Sequence, residues 1–350
     1  MVYNYLIIGC GLAGISLSEQ LYQEQDSFFV IDGDTERSTS VAGGIFNPIM
    51  LKRFSLAWEA DKQLPYALDI YKRLENLHQT TFIHELPIYR KFNGVEEQNN
   101  WFVASDKPGL NSFLSSTLTE EVDELCSKFK FGEVKQTGYV NTALLQKKHI
   151  NWLKEENRFS QEKFDYQQLH YHQEENIYTY KTLRAKHIIF AEGVGLRKNP
   201  FFNWLPLKMN KGEYIVVEAP EFKLSSVIKA GMFVLPLGNN YYKIGATYDN
   251  TGNDYLPTSE KKKQLIQAFE EISHKPYTLI DQEVGLRPAT ADRRPFLGKH
   301  PKNSNMYVCN GFGSRGVLIA PTAAKQLLCY INGQADLPEE VDITRYAKLI

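Results

Sequence analysis

A glycine pattern, Gly9-x-Gly11-x-x-Gly14, separates the apolar run at 6–8 from Leu12, Ile15, Leu17 and Leu21, which recur at roughly helical spacing. That order is a buried strand, a tight turn and a helix. Gly9 permits the turn, Gly11 lets the backbone approach a pyrophosphate, and Gly14 lets the helix pack closely on the strand. The helix start, Leu12 and Ala13, offers N–H groups and the positive end of a dipole to phosphates. A second strand over 27–31 delivers Asp32, eighteen residues after Gly14. An acid there can accept both ribose hydroxyls of an adenosine and disfavours a 2′-phosphate. Together these residues predict a dinucleotide site; the alternative is an ordinary Gly-rich turn in a parallel sheet.

Other segments carry weaker signals of the same kind. Residues 37–48 (Arg37-Ser38-Thr39-Ser40-Val41-Ala42-Gly43-Gly44-Ile45-Phe46-Asn47-Pro48) are small, with paired glycines. They suit a backbone lying against a flat ligand, or a surface loop. Lys52 and Arg53 follow and could face either the ligand or water. Near the C-terminus, Glu283-Val284-Gly285-Leu286-Arg287-Pro288 precedes a strand over 306–309 and the turn Asn310-Gly311-Phe312-Gly313-Ser314-Arg315-Gly316. A helix then runs to about Ile331, with Pro321 in or near its first turn. Arg315 stands where a cation faces the positive end of the helix dipole, at a cost of a few tenths to about 1 kcal/mol. An anion in front of both would justify the placement; otherwise the guanidinium caps a carbonyl or pairs with an acid.

The elements that must position these residues divide the chain unevenly. One or two helices are expected over 56–78, interrupted at Pro65, and another over 142–155. Alternating apolar residues at 81–103 mark strands of a second unit, and the strand at 185–190, ending in Ala191-Glu192-Gly193, returns the chain to the first. Residues 211–217 and 231–247 read as neighbouring antiparallel strands with a hairpin at Asn239-Asn240. The expected fold is α/β: a Rossmann-like nucleotide-binding domain over 1–80, 138–207 and 281–350, interrupted by an antiparallel β-sheet domain with helices over 81–137 and 208–280.

Composition excludes several classes. The chain has 350 residues, 43% hydrophobic and 23% charged, with a formal net charge of -1. Nothing in that balance asks for a nucleic-acid or membrane surface. Lys261-Lys262-Lys263 reads as a solvated helix face, tRNA contact being the alternative. The four cysteines form no C-x-x-C spacing, the eight histidines are scattered, and no Ser, Cys and His are spaced as a triad, so no metal site is expected. The first strand begins close to Met1 and no long apolar run occurs, which predicts neither a signal peptide nor a membrane span. A cytoplasmic protein is expected.

On these motifs the chain resembles the FAD-dependent D-amino-acid oxidase superfamily over nearly its whole length. The resemblance rests on Gly9 to Gly14 with Asp32, Gly43-Gly44-Ile45-Phe46-Asn47-Pro48, Ala191-Glu192-Gly193, and Ile244-Gly245-Ala246-Thr247-Tyr248-Asp249. It rests most specifically on Gly285-Leu286-Arg287-Pro288 with Asp292 and Pro295, and on Gly311-Phe312-Gly313-Ser314-Arg315-Gly316. It implies an FAD domain of the glutathione-reductase-2 type and a cofactor lying across it. The implied contacts are the N-terminal residues Gly9, Gly11, Leu12, Ala13, Gly14 and Asp32, then Ser40, Gly43, Gly44, Ile45, Phe164 and Gly193, then Gly313, Ser314, Arg315, Gly316 and Val317. It implies that Arg287 holds a substrate carboxylate with help from Arg315, and that Lys243 aligns with an oxygen-activating lysine, a solvated lysine being the alternative. Related sarcosine oxidases attach their flavin through a cysteine where this chain has Gly285, so FAD should be noncovalent. Glycine oxidases carry a substrate-contacting tyrosine where Phe233 lies. The implied reaction is oxidation of the C–N bond of a small carboxylated amine, with oxygen as acceptor. Alternatives within the resemblance are a dehydrogenase using a quinone or carrier protein, a stand-alone oxidase of carboxymethylaminomethyl-modified tRNA, and a non-catalytic flavoprotein subunit.

Overall fold

Strand Tyr3–Ile8 occupies the middle of an eight-stranded sheet in the computed structural model, which describes residues 1–33 and 38–349. Its side chains alternate between two cores. Tyr5 and Ile7 pack with Ile15, Leu17 and Leu21, whereas Leu6 and Ile8 pack with Phe164, Tyr180, Phe202 and Phe296. An apolar run buried on both faces belongs in the centre of a parallel sheet. Tyr3–Ile8 pairs in parallel with Phe28–Asp32 and with Leu183–Phe190, and Phe159–Gln161 continues beyond the former. The C-terminal half of Leu183–Phe190 takes Met306–Asn310 in parallel, and its N-terminal half takes the hairpin Leu169–His172 and Ile177–Tyr180.

Four helices, Leu12–Gln23, Ala60–His78, Thr142–Glu155 and Gly316–Ile331, pack on one another beside this sheet. The break expected at Pro65 does not occur; Ala60–His78 is one helix with Pro65 inside it. Pro65 lies near the N-terminus, where its fixed φ is compatible with helix and the bond it forfeits, to the Asp61 carbonyl, lies in the first turn. Pro321 lies just past the first turn of Gly316–Ile331, near it as expected. Its missing N–H leaves the Val317 carbonyl without its helical donor. The Tyr71 hydroxyl donates to that carbonyl at 2.8 Å, so the second helix supplies what the proline removes.

The second unit is an eight-stranded sheet in the order Thr278–Ala289, Lys208–Glu218, Tyr241–Gly245, Phe233–Gly238, Val227–Lys229, Ile88–Lys91, Leu125–Val134 and Leu114–Val122. All neighbours are antiparallel except Val227–Lys229 with Ile88–Lys91. Asn239 and Asn240 turn the expected hairpin with φ of 50° and 65°, as a type I′ turn requires. Thr278–Ala289 pairs with Lys208–Glu218 along its whole length, through one bulge at Val216/Val217. The change of unit expected at 280/281 therefore falls inside a strand, and the chain leaves the second sheet only after Ala289. A three-stranded sheet of Ile45–Phe46, Gly138–Val140 and Ile83–Glu85 lies between the two larger ones in sequence. Arg37, the first residue of the small-residue segment, lies outside the described residues.

Candidate active site

A cavity of about 1660 Å³ opens at the C-terminal ends of Tyr3–Ile8, Phe28–Asp32, Leu183–Phe190 and Met306–Asn310 and runs to the second sheet. Carboxyl ends of parallel strands are the usual ligand position in such sheets. At one end the turn of the glycine pattern is set by its own crowding. Gly9 has a φ of +106°, and a Cβ on it would lie 2.4 Å from the Ala191 carbonyl oxygen. A Cβ on Gly14 would lie 2.0 Å from the Gly9 carbonyl oxygen. Cys10 N–H donates to Asp32 Oδ2 at 2.5 Å, and Leu12 N–H donates to Thr39 Oγ1 at 3.2 Å. Gly11, Leu12, Ala13 and Asp32 all line the cavity. Burial, and then Asp32, pushes the Cys10 thiol well above its ordinary pKa, leaving it a small core residue.

A second helix opens onto the same space. Gly316–Ile331 begins at Arg315, and Gly316, Val317, Leu318 and Ile319 of its first turn line the cavity. Neither this helix nor Leu12–Gln23 has a side-chain cap or an acid in its first turn. Two uncompensated positive dipole ends thus face one cavity, an arrangement built for anions.

The arginines come from different units. Arg287, on Thr278–Ala289, donates through Nη1 to Asn210 Oδ1 at 2.6 Å and to the Thr247 carbonyl at 3.2 Å. Its guanidinium lies 4.5 Å over the Tyr248 ring. It also lies across Gly212, where a Cβ would meet Nη2 at 2.2 Å, so glycine there makes room for the charge. Arg315 donates through Nη1 to the Asn47 carbonyl at 2.7 Å. Burial lowers its pKa below the ordinary guanidinium value, with Tyr248 and Arg293 as the charged or titratable groups facing it. Neither arginine has an ion-pair partner among the described residues.

Most of the residues implied by the sequence meet here: Gly43, Gly44, Ile45, Phe164, Gly193, Gly313, Ser314 and Phe233 line the cavity too. Gly44 is at φ +66°, and a Cβ on it would sit 1.9 Å from the Val140 carbonyl oxygen. Three of the implied residues are not on the cavity wall. Gly14 lies beneath the turn rather than on the wall, packed on Gly9. Ser40 is turned off the wall while Ser38, Thr39 and Val41 line it, since successive residues of the helix Ser38–Val41 point about 100° apart. Lys243 is neither solvated nor on the wall. It is 8% exposed, its Nζ pairs with Glu283 Oε2 at 2.5 Å, and it lies 4.9 Å from the Tyr214 ring centre.

Asn210, Tyr214 and Lys229 also line the cavity and carry no signal of a site in the sequence, and Tyr248, part of the motif at 244–249, lines it as well. Asn210, Gly212 and Tyr214 alternate on one strand face opposite Arg287, Gly285 and Glu283. The period-2 signal was present, but which face meets the ligand depends on the other unit. Among the described residues no group of three His, Cys, Asp or Glu side chains could hold a metal, and no helix is long and apolar enough to cross a membrane.

This geometry defines a class, a two-unit nucleotide-binding fold with cations at the junction, and comparison with known proteins gives the family. The family described as FAD dependent oxidoreductase (DAO) matches residues 4–330. The chain belongs to that family, whose cofactor is FAD. It is 24% identical over 391 residues to the tRNA 5-methylaminomethyl-2-thiouridine biosynthesis bifunctional protein of Legionella pneumophila, covering 95% of this chain and 54% of that protein. It is 25% identical over 173 residues to the glycine oxidase of Pseudomonas aeruginosa, covering 47% of this chain and 46% of the oxidase. The chain thus spans about half the length of these curated relatives. In fold it resembles an iminodiacetate oxidase from a Chelativorans species, with a TM-score of 0.79 at 19% identity over 98% of both chains. It also resembles the glycine oxidase of Geobacillus kaustophilus, with a TM-score of 0.75 at 18% identity over 98% of this chain and 97% of that one.

Proposed function

We propose that this chain binds FAD noncovalently and oxidises the C–N bond of an amine bearing a carboxylate, an amino acid or N-substituted glycine, with oxygen as acceptor. The observation that carries this reading is the convergence of Arg287, Arg315 and two helix N-termini on one cavity. Bound FAD would supply the hydride acceptor. Asp32 would take the ribose, and the turn from Gly9 to Ala13 the pyrophosphate. The start of Gly316–Ile331 would stabilise negative charge developing on the flavin's pyrimidine edge. Gly285 lines the cavity and offers no sulfur for covalent attachment.

Arg287 is held by Asn210 and Thr247 through Nη1, so its other guanidinium N–H groups remain for a carboxylate. Orientation of the substrate carbon carries most of the rate, and an amine that enters neutral needs no separate base. The resulting imine hydrolyses to an oxo acid and an amine or ammonia. The test is anaerobic mixing of the purified protein with carboxylated amines and with their amides. Only the carboxylates should bleach the flavin, oxygen should restore the colour, and acid precipitation should leave the flavin in the supernatant. Equal bleaching by amides, or flavin retained on the precipitate, would overturn the reading.

A second reading is favoured by the alignment that covers 95% of the chain with the tRNA-modifying protein of Legionella. A carboxymethylaminomethyl group is itself an N-substituted glycine, so the same clamp could serve a modified tRNA. Bleaching by such a tRNA but by no free amine would select it. A dehydrogenase passing electrons to a quinone or carrier protein would bleach with amines but consume no oxygen.

A further inference from the structure

Lys229 is the one cavity-wall lysine set on the second sheet in the same row as Tyr214. Register places Tyr214, Gly245, Phe233, Lys229 and Arg90 directly opposite one another across successive strands. Side chains of such a row share a face, and Tyr214, Gly245, Phe233 and Lys229 line the cavity. The Lys229 ammonium lies 4.8 Å from the Phe233 ring centre and donates to the Gly231 carbonyl at 2.6 Å. It has no ion-pair partner among the described residues. Its neighbour Arg90 differs: Nε donates to Glu97 at 2.9 Å and Nη2 at 2.5 Å, so that charge is already neutralised. Burial, with Arg90 beside it, lowers the Lys229 pKa to about 8, which still leaves it mostly cationic at neutral pH.

We propose that Lys229 binds a second anionic group of the substrate, so that the preferred substrate is an N-substituted glycine whose N-substituent ends in a carboxylate or phosphate. This rests on the clamp reading above and names the far end of the same substrate. Lys229 is four strands from the strand of Arg287, and Arg287 lies four residues along from the row of Tyr214. In a flat sheet that separates the two backbones by about 23 Å, which the inward-reaching side chains shorten. The two anions therefore belong at opposite ends of an extended molecule, several bonds apart. A half-buried cation facing a partner anion is worth more than one left to a single carbonyl.

The test uses the flavin-loaded protein and matched pairs of N-alkylglycines, with the chain ending in carboxylate, phosphate or uncharged carboxamide, over spacers of increasing length. The readout is the ratio of anaerobic reduction efficiency for each anion to that of its carboxamide partner. In the parent the ratio should reach about tenfold or more at the longer spacers. It should collapse towards one in Lys229→Gln, survive in Lys229→Arg, and leave flavin content and circular dichroism unchanged in both. Whichever anion gives the larger ratio identifies the terminal group. A ratio near one in the parent, or the same ratio in Lys229→Gln, overturns the second anion site while amine oxidation stands. Failure of every N-alkylglycine to reduce the flavin overturns the second anion site, and failure of free amino acids as well overturns amine oxidation too.

Discussion

Arg287 is held in place before any ligand arrives, by Asn210 Oδ1, the Thr247 carbonyl, the Tyr248 ring and the space above Gly212. A lysine has neither the fork to keep those contacts and grip a carboxylate at once, nor the flat face for the ring. Arg287→Lys should therefore lower the efficiency of flavin reduction by a carboxylated amine by roughly tenfold to a few hundredfold, the range of a charge-assisted bidentate contact. Flavin content should persist, since the nucleotide end is built from other residues. Stopped-flow reduction alongside the visible spectrum checks both halves; loss of flavin instead of substrate efficiency would remove Arg287 from the clamp. Lys243 is not the solvated lysine that one reading of the sequence offers, being 8% exposed. Of the oxygen activator and the solvated lysine that the sequence allowed, its pairing with Glu283 beside the Tyr214 ring, on the strand face of Gly245, excludes the second.

At the scale of elements, the start of Leu12–Gln23 depends on a turn that admits no Cβ at Gly9 or Gly14. Gly14 is the stricter of the ordinary-φ positions, because a methyl there would overlap the Gly9 carbonyl oxygen at 2.0 Å, and that carbonyl belongs to the turn itself. Gly14→Ala must push the helix Leu12–Gln23 away from the strand or twist the turn. Overpacking of this kind typically costs about 1–3 kcal/mol. The variant should show a lower urea midpoint and, because the turn is displaced, weaker flavin retention on dialysis. A variant as stable and as yellow as the parent would mean that the turn yields without cost. Tyr71 and Pro321 teach the complementary lesson: a helix can carry a proline inside it when a packed neighbour donates to the carbonyl left over.

Across the whole molecule, the helical layer is joined by a buried chain of polar groups. Ser18 Oγ donates to the Gly14 carbonyl at 2.8 Å, which leaves His149 Nε2–H to donate to Ser18 at 2.8 Å. His149 Nδ1 then accepts from His78 Nε2–H at 3.1 Å, so both rings fit as neutral species. Burial pushes both well below the ordinary histidine value of 6.5. The unfolded chain therefore binds more protons than the folded one below pH 6.5, and stability falls as pH falls through that value. For His149, which is fully buried, the loss is about 1.4 kcal/mol per pH unit. Urea midpoints measured from pH 7 to 5 should fall, and in His149→Gln they should fall less steeply. Equal slopes would show that the ring is protonated without penalty.

The sequence by itself determined the parts whose physics is local. The turn from Gly9 to Gly14, the helix Thr142–Glu155, the hairpin at Asn239-Asn240 and the strand Leu183–Phe190 follow from apolar period, glycine and asparagine φ, and nearest-neighbour packing. The family, and that the glycine pattern, Arg287 and Arg315 line one cavity, were legible in motifs for the same reason. What only the tertiary structure decided depends on residues far apart in the chain. Thr278–Ala289 stays in the second sheet because its hydrogen bonds lie with Lys208–Glu218. Asn210, Tyr214 and Lys229 become cavity residues because one face of that sheet is turned to the helices of the other unit. A strand's period states that two faces differ; it takes the rest of the molecule to say which of them meets the ligand.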